Sequence, residues 1–87
     1  MAREELETLR SELAFEQITI TLSDFERHWQ FKYGETHLAD YWPASARGQI
    51  TGQAHSLPCG STAQAQKLAI SAKKRLFDAI RRALQPV

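Results

Sequence analysis

His28-Trp29-Gln30-Phe31-Lys32-Tyr33-Gly34-Glu35-Thr36-His37-Leu38-Ala39-Asp40-Tyr41-Trp42 holds five of the chain's eight aromatic residues within fifteen positions, so the remaining segments must pack around it. Trp29, Phe31 and Tyr33 alternate with Gln30 and Lys32. Side chains change face at every residue of a strand, which puts these three rings on one face of an extended segment. Gly34 interrupts the run, and Leu38, Ala39, Tyr41 and Trp42 resume it. The stretch predicts two antiparallel strands, the second over Thr36 to Trp42, joined by a short turn at Gly34-Glu35. Pro43 cannot donate a ladder hydrogen bond, and it ends the second strand.

Upstream, Ile18, Ile20 and Leu22 alternate with Gln17, Thr19 and Thr21. The β-branched content makes this the clearest strand in the chain. Between it and Trp29, Ser23 stands three residues before Glu26, the spacing of a helix capping box. Too few residues remain before the aromatic alternation for a helix, so a turn or bulge is expected over 24–29. At the N-terminus, residues 2 to about 14 repeat Leu6, Leu9 and Leu13 at helical spacing among acidic residues. Such residues suit the positive end of the helix dipole. The narrow leucine stripe matches a coiled-coil seam, but over two heptads packing against the chain's own sheet is favoured over dimerisation.

Downstream of Pro43, small residues and glycine predict a loop over Ala44 to Gly48, then a weaker strand over Gln49 to Ala54. His55 to Gly60 reads as a connection. Ser61 or Thr62, with Gln64, predicts the capped start of a long helix from about 62 to 84. Its apolar face is Ala65, Leu68, Ala69, Ala72, Leu76, Ile80 and Ala83, with Ile70, Phe77 and Leu84 along one margin. Lys67, Lys74 and Arg81 recur every seven residues on the other side, with Arg75 and Arg82 beside them. The expected architecture is one α+β domain over 1–87, with an N-terminal helix, three or four antiparallel strands, and a long C-terminal helix packed on one sheet face.

Eighty-seven residues, 43% apolar and 24% charged, are the composition of an ordinary globular chain. The net charge of +1 exerts no overall pull on nucleic acid or acidic membranes. The single cysteine excludes an internal disulfide, and no apolar run approaches the roughly twenty residues that span a bilayer. The start, Met1-Ala2-Arg3-Glu4-Glu5, does not read as a signal peptide. A cytoplasmic protein with no membrane partner is expected. Asp40-Tyr41-Trp42-Pro43-Ala44-Ser45-Ala46-Arg47-Gly48, followed by Cys59-Gly60-Ser61, resembles small uncharacterised proteins encoded by bacterial viruses and prophages. The resemblance implies a mobile-element origin and brings no activity or catalytic residue with it.

Candidate sites divide by chemistry. His37, His55 and Cys59, with Asp40, are possible zinc ligands if they meet, but no short-spaced cysteine pair supports this, and no metal or cofactor is expected. Cys59 before a helix start, with His55 four residues away, has the makings of an activated thiol. A buried or half-buried small residue at a turn is the simpler reading. Glu26, His28, Glu35, His37 and Asp40 suggest acid–base groups, but their spacing specifies no reaction, and no catalytic residue is assigned. Most of the rings are expected in the core, with Tyr41 or Trp42 the most exposed. The leading expectation is a small non-enzymatic, phage-type accessory protein, monomer or homodimer. It would bind a host protein through Tyr41, Trp42 and Arg47, residue types that anchor interfaces. The alternative is nucleic-acid binding through Lys67, Lys74, Arg75, Arg81 and Arg82, because phosphates need a localised row of cations.

Overall fold

The computed structural model describes residues 3–85 and sets out, in chain order, α1 (Arg3–Ala14), β1 (Ile18–Ser23), β2 (His28–Tyr33), β3 (Thr36–Trp42), β4 (Arg47–Ile50), β5 (Leu57–Pro58) and α2 (Thr62–Leu84). The expected start of the first helix at residue 2 lies outside the described residues. The strands form one antiparallel sheet in the order β1-β2-β3-β4-β5. The fold is therefore α+β, with five strands instead of three or four. The extra strand is β5, a two-residue segment pairing Pro58 with Arg47 and Leu57 with Gly48 inside the expected connection. β4 also begins earlier than its sequence suggests, because Arg47 and Gly48 pair with Trp42 and Tyr41 across the Pro43 turn.

Both helices lie on the same side of the sheet. Leu6, Leu9 and Leu13 of α1 join Ile18, Ile20, Trp29, Phe31, Leu38, Ala39, Tyr41 and Ile50 of the sheet, with Ala65, Leu68, Ala69 and Ala72 of α2, in one buried cluster. Full burial of a ring such as Phe31 contributes about 1.5–3 kcal/mol relative to exposure. Trp29 meets Tyr41 edge to face at 5.3 Å, and its indole N–H donates to the Glu26 carbonyl at 3.1 Å. That bond ties the core to the Asp24–Arg27 turn, which replaces the competing helical reading. Asp24, Phe25 and Glu26 all take positive φ there. At the other end of β2, Gly34 takes φ +60° in the two-residue turn to β3, where a left-handed residue is required.

Ser61 caps α2: its Oγ accepts the Gln64 N–H, while the Gln64 side chain accepts the Gly60 N–H. The apolar face of α2 is used only over its first half. Leu76 packs at the edge of the core, whereas Ile80 and Leu84, expected on or beside that face, are exposed as the helix runs past the sheet. Lys73 anchors this region. Its Nζ donates to the Glu16 carbonyl at 2.7 Å and lies 5.2 Å from the Tyr33 ring and 5.4 Å from the Phe77 ring.

The approach of α2 to β4 depends on Gly48. A Cβ there would stand 2.6 Å from Leu68 Cδ2 and 3.3 Å from Cys59 Cβ, both in the core. Gly48→Ala is expected to overpack this contact and lower stability by about 1–3 kcal/mol, read as a reduced urea midpoint with an unchanged slope.

Candidate functional site

The uncovered face of the sheet carries the polar alternates of the core strands. Its rows follow from register: Thr19, Lys32 and His37 in one, Thr21, Gln30, Asp40 and Gln49 in the next. Ser23 opposite His28, and Trp42 opposite Arg47, make the last. An antiparallel sheet with one face packed and one solvated is a stable arrangement, so this surface needs no cover.

Asp40 is the centre of the face. Its Oδ1 lies 2.7 Å from His28 Nε2 and 3.0 Å from His37 Nε2, and His28 Nδ1 lies 3.1 Å from Ser23 Oγ. A carboxylate only accepts, so both imidazoles donate through Nε2. The remaining nitrogen of a neutral His28 then accepts the Ser23 hydroxyl. His37 and Asp40 are three residues apart and would point to opposite faces of a regular strand. They share a face because β3 inserts one extra residue, Leu38, where the register with β2 shifts between Phe31 and Lys32. Leu38 is buried beside Ala39, and the bulge flips the phase of everything before it.

The Ser23–His28–Asp40 order is that of a nucleophile, base and orienting acid, but acyl transfer also needs N–H donors converging where an oxyanion forms. Among the described residues Ser23 Oγ meets the His28 ring at 3.1 Å and the His28 carbonyl at 3.5 Å. The bonds also fix the ring in place. The His28 ring, held at both nitrogens, stacks on Trp42 with centroids 4.7 Å apart and planes 4° apart.

The residues expected at the partner surface separate. Trp42 is half-buried on the open face, and Arg47 beside it is exposed, its guanidinium held by Ser56 Oγ and the Ser56 carbonyl at 2.7–3.1 Å. Tyr41 is corrected: at 1% exposure it points into the core, as strand alternation requires of the neighbour of an outward Trp42. The five cations of the alternative surface, Lys67, Lys74, Arg75, Arg81 and Arg82, are all exposed. Arg81 pairs with Asp78 at 3.7 Å, and Arg82 donates to the Asp78 carbonyl. Ser23 was legible only as a helix cap, and nothing in its spacing from His28 announces their contact.

His37 and Cys59 lie on opposite sides of the sheet, since Cys59 packs in the core beside Gly48. Among the described residues no group of three or more His, Cys, Asp or Glu is placed to hold a metal ion. Cys59 precedes a helix, as expected, but it is 2% exposed, and burial pushes its thiol above the ordinary value instead of activating it. Burial, with Cys59 and Glu5 nearby, raises Tyr41 as well. Both groups hold their protons more tightly folded than unfolded. The contribution of Cys59 is therefore complete below the ordinary thiol pKa of about 8.5, and that of Tyr41 below the ordinary phenol pKa of about 10. Each is lost as pH rises from there through the raised folded value. Thermal melts are expected to fall progressively on the alkaline side, and Cys59 of the native chain to react with iodoacetamide more slowly than a free thiol.

No protein-family model, curated protein or solved structure matches the chain.

Proposed function

We propose that this chain is a small non-enzymatic binding module that engages a protein partner through the end of the open sheet face where Trp42 and Arg47 stand. The observation that carries the reading is the immobilised Trp42. Its ring is stacked on His28, and His28 is in turn fixed by Asp40 and Ser23. Affinity is lost whenever a flexible anchor must be ordered on binding, so an aromatic held in place beforehand is a favourable contact. Arg47, adjacent in register and already held by Ser56, supplies a cation beside it. Tryptophan and arginine are the types enriched where interface energy concentrates. The resemblance to phage-encoded proteins makes a host protein the proposed partner and the cytoplasm the proposed location. No helix of the described residues is long and apolar enough to cross a membrane.

The second reading, nucleic-acid binding, is favoured by a specific asymmetry. Helix α2 carries Lys67, Lys73, Lys74, Arg75, Arg81 and Arg82 against Asp78 alone, while α1 carries Glu4, Glu5, Glu7 and Glu12 against Arg3 and Arg10. The near-neutral chain is thus strongly dipolar. Phosphate binding explains the cations but assigns no role to the stacked pair on the open face.

Trp42→Ala leaves the core side untouched and is expected to keep the circular dichroism of the parent. It should reduce capture of partner proteins from host lysate by tenfold or more, as loss of a hot spot of about 2 kcal/mol implies. Equal capture by a folded variant would remove the reading. Lys67, Lys74 and Arg81 replaced together by glutamine should leave melting nearly unchanged, as expected of exposed charges. If α2 binds phosphates, the triple variant should weaken DNA or RNA binding for all sequences alike, with a salt slope shallower by about one for each phosphate no longer neutralised.

A further inference from the structure

The two edges of the sheet are treated differently. At one end, β5 is two residues long and contains Pro58, so that edge offers almost no ladder to an incoming strand. At the other, β1 runs for six residues, Ile18–Ser23, with no charge, no proline and no register shift against β2. Its outer backbone edge receives no hydrogen bond from the described residues beyond its ladder with β2. Helix α1 does not close it: a cleft lined by Arg10, Ala14, Gln17, Ile18, Thr19 and Ile20 opens between the helix and the strand.

The chemistry of β1 selects its occupant. Ile18-Thr19-Ile20-Thr21-Leu22 reads alike in both directions, apolar on the core face and threonine on the open face. An antiparallel copy centred on Ile20 places Ile18 across from Leu22, Thr19 across from Thr21, and Ile20 across from itself. Every rung then joins like with like, which cross-strand pairing favours on both faces. The same two-fold arrangement addresses the most exposed large apolar side chains of the described residues. Phe15 (88% exposed) precedes β1 and Phe25 (90%) follows it. Antiparallel pairing brings the Phe15 end of one strand to the Phe25 end of the other. We infer that two copies of this chain pair through β1 across a two-fold axis, joining their sheets into one continuous antiparallel sheet with both open faces on the same side. A closed, isologous contact of this kind satisfies the edge and stops at the dimer, because only the blunted β5 edges remain outermost.

The test uses the full chain. Light scattering over a dilution series is expected to give twice the 9.9 kDa chain mass at high concentration, falling toward the single mass on dilution. Thr19→Glu with Thr21→Glu sets like charges across from each other at two rungs of the dimer. Within the chain, position 19 faces Lys32 and position 21 faces Gln30, so the double variant should stay folded and be monomeric at every concentration. Register is read independently from Thr19→Cys and Thr21→Cys. Under mild oxidation neither variant alone should form a covalent dimer, and an equimolar mixture should. A wild-type chain that remains monomeric throughout overturns the inference and leaves the edge to a strand of another protein. A folded double-glutamate variant that still dimerises overturns it too, as does cross-linking equal in the single variants and the mixture. Should the double-glutamate variant unfold, the cross-linking pattern decides alone.

Discussion

Trp29, Phe31 and Tyr41 occupy one side of the β2–β3 hairpin, and an 87-residue chain has only enough apolar surface to cover that side once. This sidedness constrains the rest of the molecule. Both helices must lie over the rings, since a helix placed on the other face would bury its leucines against Gln30, Lys32 and Asp40. The leucines of α1 and the alanines of α2 divide the ring face between them. The small side chains of α2 let its backbone approach closely, with Gly48 removing the last obstacle under Leu68. The polar face is left free of helices because its side chains offer a helix little apolar surface to bury against.

The bulge at Leu38 reconciles two demands on β3. Near Trp42 the strand must present Tyr41 and Ala39 to the helices; near Gly34 it must still bury Leu38. One inserted residue meets both demands and, as a by-product, turns His37 outward beside Asp40. The polar cluster is thus a consequence of core packing on the other side of the same strand. Strand bulges are recurrent devices for re-aiming side chains, and here the re-aimed imidazole shares a carboxylate with the one that supports Trp42.

Charge follows the same division into parts. The chain is close to neutral overall, yet α1 and α2 carry opposite excess charge and lie side by side on the ring face. Lys73 is the one α2 cation drawn into the fold, where Glu16 and the Tyr33 and Phe77 rings hold it near the α1–β1 junction. The exposed cations lie on the remaining faces of the helix, where Arg75 and Arg82 line a cleft with His37 and Ile50 of the sheet.

Local periodicity alone determined most of the fold. Alternation in β1 and β2, the Gly34 turn, the strand ending at Pro43 and the capped helix from Thr62 to Leu84 are properties of neighbouring residues, and a period of two or of three to four reads them directly. The exposure of the basic residues of α2 was legible for the same reason. The sequence also left Tyr41 and Trp42 as alternatives for the exposed ring. Strand parity separates them only once the core face of β3 is known. The start of β4 at Arg47, the short β5, the bulge at Leu38 and the contact of Ser23 with His28 were decided by tertiary structure. Each arises from pairing between strands, and the energy that selects a partner strand lies in no single window of sequence. The packing around Cys59 belongs with these. Its place before a helix and its burial at a turn were readable, but the close approach of Gly48 and Leu68 to it exists only after α2 has docked on the sheet.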